Sequence, residues 1–489
     1  MFKYGVIPRN FNISHIIPII KDKKKSAADI NNLRPISISN CLAQLFERLL
    51  LRKMPEINYT SVHQLGYKNK ISCSLALFAF KETVIKFLEE KLIIYAASLD
   101  AVKAFDKLWR EALYYKMKCK KIDINLIILL KIYYDVLASK VKINNVFSNV
   151  FKLSRGVKQG GIISGSLFNF YLDDLISKCG SSGLGATFYE IIMCIFGFCD
   201  DLGLLSHDQS DLQELLAICE QYANDLGLEF NIPKCKIMLF GSKKQLKQNN
   251  AIFMLNGEEI SYTDKFKYLG LEFTYNMDMS GFFIEKFQNV SKSFYSLSSF
   301  GFKPGGVNPY LQAYIYKSFC LSRMLYGMEI MNINKKTLNA INLSQNNLIR
   351  HMTGLSRNSH ITTTTKLLKL FNIHDLHYYM KLIFIKNLKN NALCSSIFDY
   401  LLVADYKENT NSFIKDFKAI SETLDVDEDF IINNINETIS KFKMDKRAVE
   451  DNTECDLIKV CLSNNQDFDM RIQLNLVTYA GPLYNKENV

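Results

Sequence analysis

Two adjacent aspartates, Asp200 and Asp201, stand between the apolar runs Ile191–Phe198 and Leu202–Ser206. The pattern is a hairpin with two negative charges at its tip. Asp is at home in turns, so the pair alone fits an ordinary turn as well as a functional one. Like charges held together are costly unless a cation compensates them, and this opens the reading of a metal site. A second acidic strand end sharpens that reading, and Ile93–Leu99, a buried-strand pattern ending in Asp100, supplies one. Two carboxylate-bearing strand ends side by side can hold two Mg2+ ions about 3.5–4 Å apart. Mg2+ prefers few carboxylates plus substrate phosphates, which suits so sparse a set. A chain built this way needs a sheet whose strand ends meet.

At 489 residues, with 48% hydrophobic and 12% aromatic side chains, the chain can bury the cores of two or three domains. Disorder and coiled coil are excluded. Apolar runs such as Leu126–Leu130 and Leu92–Ala97 fall well short of the roughly 18 residues of a membrane span. The N-terminus lacks the order of a signal peptide. Twelve cysteines without a CxxC pair argue against a disulfide framework and a structural zinc site. A soluble intracellular protein is expected, with no membrane partner. The net charge of +11 fits a polyanionic partner, and equally a solvated lysine-rich surface.

The first 275 residues alternate strand-like runs with helical patterns. A basic run, Lys21–Lys25, precedes Arg34-Pro35, and Leu42 to Met54 has helical spacing. Asp106 stands where a helix N-cap belongs, ahead of Leu108, Trp109, Ala112 and Leu113. The loop from Gly156 to Gly161 runs into a helix after Ser164. It is no ATPase phosphate loop, since no Gly-Lys-Ser/Thr follows at the required spacing. Gln159 within it either meets a nucleotide or template base, or sits in a plain turn. A helix over Leu212–Leu226 and a strand pair around Lys236–Phe240 and Ile252–Leu255 follow. From Phe282 the pattern is helical, with Lys286, Lys292, Lys317, Arg323 and Arg350 spread through it. From Asn411 the chain turns acidic and offers no chemical motif.

In order along the chain stand Arg34-Pro35-Ile36-Ser37, Gln64-Leu65-Gly66-Tyr67, Ser98 to Asp106, Gly156–Ser164 with Leu167-Phe168, Phe198–Asp201, Asn231-Ile232-Pro233-Lys234 and Tyr268-Leu269-Gly270. Together they resemble the successive motifs of reverse transcriptases, most nearly those of non-LTR (LINE-type) retrotransposons. The resemblance implies an α+β right-hand fold: fingers and palm over 1–275, a helical thumb over 276–385, and a helical C-terminal region of unknown role over 386–489. It implies an RNA-directed DNA polymerase that takes an RNA template, a DNA primer and dNTPs. Two Mg2+ ions are implied, with Mn2+ as the alternative, along with a nuclear location.

Carried over by position, the resemblance makes Asp100, Asp200 and Asp201 the metal-binding acids, with Ala101 beside the metals and the triphosphate. Arg34 and Lys21 would contact the triphosphate from the fingers. Gln159 and Gly160 would meet the incoming nucleotide, and Phe105 would exclude its 2′-hydroxyl. Lys234 would be a general acid toward pyrophosphate, and Tyr268, Leu269 and Gly270 a primer grip. The family's usual Tyr-Ala before the paired acids is here Phe198-Cys199. Gly165 stands where the family usually has Pro and is expected to loosen the helix that starts there. The chain begins close to the first finger motif and shows no endonuclease, so a truncated element is expected. An inactive nucleic-acid-binding relic and, further off, a group II intron maturase are the alternatives.

Overall fold

The computed structural model describes residues 4–8, 11–26, 28–404 and 411–447. They fall into two compact units, Met1–Met279 with Asn387–Asp416, and Ser280–Lys386 with the chain from Phe417 onward. The first unit opens with β1 (Ile13–Ile20) and β2 (Leu33–Ile38), an antiparallel pair in which Ile19 faces Arg34. Helix α1 (Cys41–Lys53) starts at Asn40, whose side chain accepts from the Ala43 amide. Helix α2 (Cys73–Glu89) is apolar almost all round and is buried to match. Strand β3 (Ile94–Asp100) is buried along most of its length and ends on the half-exposed Asp100.

Three helices follow, α3 (Ala104–Lys107), α4 (Arg110–Cys119) and α5 (Ile124–Asp135). They lead to β4 (Ala138–Ile143), which runs parallel to β1 and completes a five-stranded sheet with two short strands. After α6 (Ser164–Ser181) come β5 (Ile195–Phe198) and β6 (Asp201–Ser206), then α7 (Gln209–Leu226) and β7 (Lys236–Phe240). The four-stranded sheet has the order β7–β3–β6–β5, antiparallel throughout. Its expected partner strand near Ile252 pairs elsewhere: Met254–Leu255 meets Glu258–Glu259, because β3 occupies one edge of β7 and the backbone of Ser261–Thr263 bridges Ile237. The hairpin of β8 (Phe266–Tyr268) and β9 (Leu271–Phe273) is fastened by Phe80 of α2, whose ring lies 5.1–6.0 Å from those of Phe196, Phe240, Phe266, Tyr268 and Phe273. Each buried ring contributes about 1.5–3 kcal/mol by leaving water.

In the second unit, α8 (Ser280–Tyr295) buries Phe283, Phe287, Val290 and Phe294 along one face. Phe294 meets Tyr316 edge-on, and the Tyr316 hydroxyl donates to Gln345 of α9 (Lys335–Thr353) at 2.9 Å. Gln345 in turn donates to the Phe371 carbonyl at 2.9 Å.

The region expected as separate, 386–489, is divided between the units. Helix α10 (Ala392–Val403) packs on α2, with the Cys394 thiol on the Leu75 carbonyl at 3.4 Å. The buried Glu82 accepts from the Ser412 hydroxyl at 2.5 Å and from the Phe413 amide at 3.0 Å. Phe413 also meets Phe78 and Phe398. Glu82 thus satisfies amide and hydroxyl donors of the returning chain, a carboxylate at the start of a helix. The acidic stretch from Asp425 lies in the second unit, and residues 448–489 lie outside the described ones.

Candidate active site

The antiparallel register sets Asp201, first residue of β6, directly opposite Asp100, last residue of β3. Opposed like charges destabilise a sheet, so this pairing carries a cost that the fold retains. Between β5 and β6, Cys199 adopts φ 62°, a left-handed conformation that closes the turn and brings Asp200 beside the other two acids. The segment around Gln64 cradles this turn. Gln64 accepts from the Cys199 amide at 3.0 Å, Leu65 donates to the Gly197 carbonyl at 2.8 Å, and Gly197 donates to the His63 carbonyl at 2.9 Å. A Cβ on Gly66 would lie 2.4 Å from the Cys199 nitrogen, so only glycine permits the approach.

Burial raises the Asp200 carboxyl, and the Asp100 charge raises it further against the pull of Arg34. Asp201 is pushed up to about 6 by desolvation and by the Asp200 and Asp100 charges. The three acids therefore interact as one cluster. Among the described residues, no three His, Cys, Asp or Glu side chains converge as a ready-made cation cage. Lys234 donates to Asp100 at 3.2 Å, held there by a turn in which Asn231 donates to the Asp100 carbonyl at 2.8 Å. Ala101 bridges to Phe230 on the same side.

Arg34 is exposed on β2 and close enough to bias both Asp200 and Asp201. Lys21 donates to the Asn31 carbonyl at 3.1 Å, and its charge reaches Asp106. The loop after Gly156 is fixed from several sides. Val157 donates to the Phe105 carbonyl at 2.8 Å, and the Ser37 amide donates to the Gln159 carbonyl at 2.7 Å. Arg110, nearly buried, donates to the carbonyls of Leu153, Arg155 and Gly156 at 2.9, 3.1 and 2.8 Å.

Lys158 is fully buried against Glu47 at 2.6 Å, with further bonds to Ser39, Tyr133 and Asn12 at 2.9, 2.8 and 3.2 Å. Desolvation lowers the Lys158 ammonium and Glu47 opposes the shift. The second oxygen of Glu47 accepts from the Ile162 amide at 2.7 Å. None of these supports shows in the sequence, because each joins residues distant in the chain. A Lys-Gln pair inside an otherwise apolar and glycine-rich loop is the one signal the sequence offers.

Asp106 is a correction. It does not cap α4, which begins at Arg110 with Trp109 in the cap position and no side-chain bond there. Asp106 lies within α3 and accepts both bonds of the Gln159 amide at 3.1 Å. Phe105, half-buried, stacks on Phe168 at 4.9 Å and 16°. Gly165 has a reason in packing at the start of α6. The Tyr67 ring lies on it so closely that a Cβ would stand 2.2 Å from Tyr67 Cδ1. Tyr268 is buried in the Phe80 cluster, and Leu269 and Gly270 form a two-residue turn with both φ positive. In the second unit, Lys286, Asn289, Lys292, Ser293, Ser296 and Arg323 line a cleft of about 540 Å³.

Residues 21–273, over half of the chain, match the family described as reverse transcriptase (RNA-dependent DNA polymerase). The chain belongs to the reverse transcriptase family. Its α+β architecture is the right-hand fold of these polymerases, with a helical C-terminal region. The "RNA-directed DNA polymerase from mobile element jockey" of Drosophila melanogaster is 24% identical over 365 residues, 72% of this chain and 38% of that protein. The "Retrovirus-related Pol polyprotein from type-2 retrotransposable element R2DM" of the same species is 26% identical over 283 residues, covering 55% and 26%. This reverse transcriptase thus spans about two fifths of the length of the jockey protein. Among solved structures, apo telomerase from Candida tropicalis aligns with a TM-score of 0.40 at 14% identity, over 81% of this chain and 70% of that one.

Proposed function

We propose that this reverse transcriptase copies an RNA template into DNA from a DNA primer, in the service of retrotransposition. The observation that carries the reading is the meeting of Asp100, Asp200 and Asp201 at abutting strand ends, within electrostatic reach of Arg34. Hard carboxylate oxygens that repel one another are a donor set for divalent cations, and an incomplete cage suits Mg2+, which completes its shell with water and phosphate. Asp100, Asp200 and Asp201, with the Ala101 carbonyl, would hold it. When bound, such ions lower the pKa of an attacking hydroxyl and offset the charge of the leaving pyrophosphate.

The chain's own groups do the rest. The primer's 3′-hydroxyl loses its proton to water as its oxygen bonds to the α-phosphorus and the bond from that phosphorus to the oxygen bridging the β-phosphate breaks. Arg34 and Lys21 hold the triphosphate by charge. Lys234, released from Asp100, gives a proton to the departing pyrophosphate. Gln159, aimed by Asp106, rests against the incoming nucleotide at Gly160, and the turn at Tyr268–Gly270 supports the primer. Purified protein with an RNA template, a DNA primer and dNTPs tests the reading. Mg2+-dependent extension supports it, and binding to the duplex without extension under Mg2+ or Mn2+ favours an inactive relic.

Phe105 follows the strand that ends on Asp100 and stacks on Phe168, so its ring can exclude a 2′-hydroxyl by volume. Phe105→Val is expected to keep dNTP incorporation within about an order of magnitude while raising ribonucleotide incorporation. Single-nucleotide extension with matched dNTP and rNTP measures it. Loss of both activities together with thermal stability would make the ring a core residue only.

The cleft at Lys292 would take the sugar–phosphate backbone without reading bases. Lys286 is a weaker contributor than its sequence position promises. It is half-buried, donates to the Tyr326 carbonyl at 2.8 Å, and is pushed down to about 8 by desolvation. Lys292 is exposed. Lys292→Ala is expected to weaken binding to all sequences and flatten the salt dependence by about one unit of slope. Binding titrations across a salt series check this, and an unchanged slope would remove Lys292 from the interface.

A further inference from the structure

Tyr67 is 62% exposed as a residue, and its backbone holds a left-handed φ of 48°, uncommon for a bulky residue. The ring lies directly on Gly165. Gly165 and Phe168 are three residues apart on α6 and so share a face of that helix. Phe105 stacks on Phe168 at 4.9 Å and has the Tyr67 ring 6.5 Å away at 59°. Tyr67 and Phe168 thus line one face of α6 together, and Phe105 touches both. The Tyr67 hydroxyl is also within electrostatic reach of Asp200 and Arg34, which sets the ring at the edge of the acidic cluster.

We propose that Tyr67 is a positioning residue for sugar selection: its ring, seated on the bare Cα of Gly165, braces Phe105 against movement away from the incoming nucleotide's 2′ position. The inference rests on Phe105 acting as the sugar gate. A lone ring stacked on one neighbour can slide within its stacking plane, whereas a second ring set at an angle blocks that path. Gly165 is then a requirement of the brace. Any Cβ at 165 would have to displace the ring, and an exposed side chain can swing away at little cost.

The test measures single-nucleotide incorporation of dNTP and rNTP by Tyr67→Ala, Tyr67→Phe, Gly165→Ala, the Tyr67→Ala/Gly165→Ala double variant, and Phe105→Val. Tyr67→Ala should raise the rNTP-to-dNTP ratio by on the order of five- to tenfold, the size of one side-chain coupling. Tyr67→Phe should retain the parent ratio, since the ring and not the hydroxyl does the bracing. Gly165→Ala should raise the ratio like Tyr67→Ala, and the double variant should rise no further, because the added methyl then has no ring to displace. A structural role alone would lower the melting temperature and both activities together without moving the ratio. Should Phe105→Val raise the ratio while Tyr67→Ala leaves it unchanged, the brace is wrong and the gate stands. Should Phe105→Val leave the ratio unchanged, the gate fails and the brace with it.

Discussion

Asp200→Asn is expected to abolish primer extension, with a loss of at least ~10²–10³-fold, the scale on which one electrostatic stabiliser of a transition state acts. Asp100→Asn should do the same. The fold should not suffer. Asp200 is raised by burial and by the Asp100 charge, so removing its charge relieves a repulsion that the native sheet carries. In EDTA the variant should melt at or above the parent's temperature. Added Mg2+ should stabilise the parent by mass action and the variant far less. This second readout needs no substrate, and equal Mg2+ stabilisation of both proteins would contradict the assignment. Asp106→Asn should be milder, because Asn still offers one acceptor to the Gln159 amide.

The second large effect lies away from the acids. Glu47→Leu would leave the Lys158 ammonium buried without its carboxylate, along with the Ile162 amide and the Tyr133 hydroxyl that Glu47 now accepts from. Breaking a buried pair from one side costs about 3–5 kcal/mol. Urea unfolding should show a loss of that order. Combining Glu47→Leu with Lys158→Met should recover part of it, since the stranded charge is then gone. A single variant as stable as the parent would mean that water or another group reaches Lys158.

The candidate acids were legible because their chemistry is local: an apolar run, then a carboxylate, twice over. The alternation around them likewise marked the palm strands, from Ile94 to Asp100 and from Asp201 to Ser206. What the sequence conceals is which side chain answers which. An Asp ahead of an amphipathic run carries the signature of a cap, yet Asp106 holds Gln159 and the helix starts without it. Gly165 looks like a weakened helix start until the Tyr67 ring is found on it. Lys286 counts as a surface cation in a composition, while its ammonium sits between the rings of Phe282 and Tyr326. In each case the partner lies far along the chain or in another element, where no periodicity points.

The carboxylate of Glu82 has a consequence for how the protein is made. Its partners Ser412 and Phe413 follow the whole of 280–386 in the chain. At about 5–20 residues per second, a ribosome needs on the order of ten seconds to pass from the last palm strands to those residues. During that interval the nascent first unit lacks α10 against α2, and Glu82 keeps its ion pair with Lys81 but lacks the Ser412 and Phe413 donors. Birth of the polymerase unit is therefore gated by translation of its distal neighbour. A stop codon between the two would release the first unit with the α10-facing side of α2 bare, a natural client for chaperones and proteases.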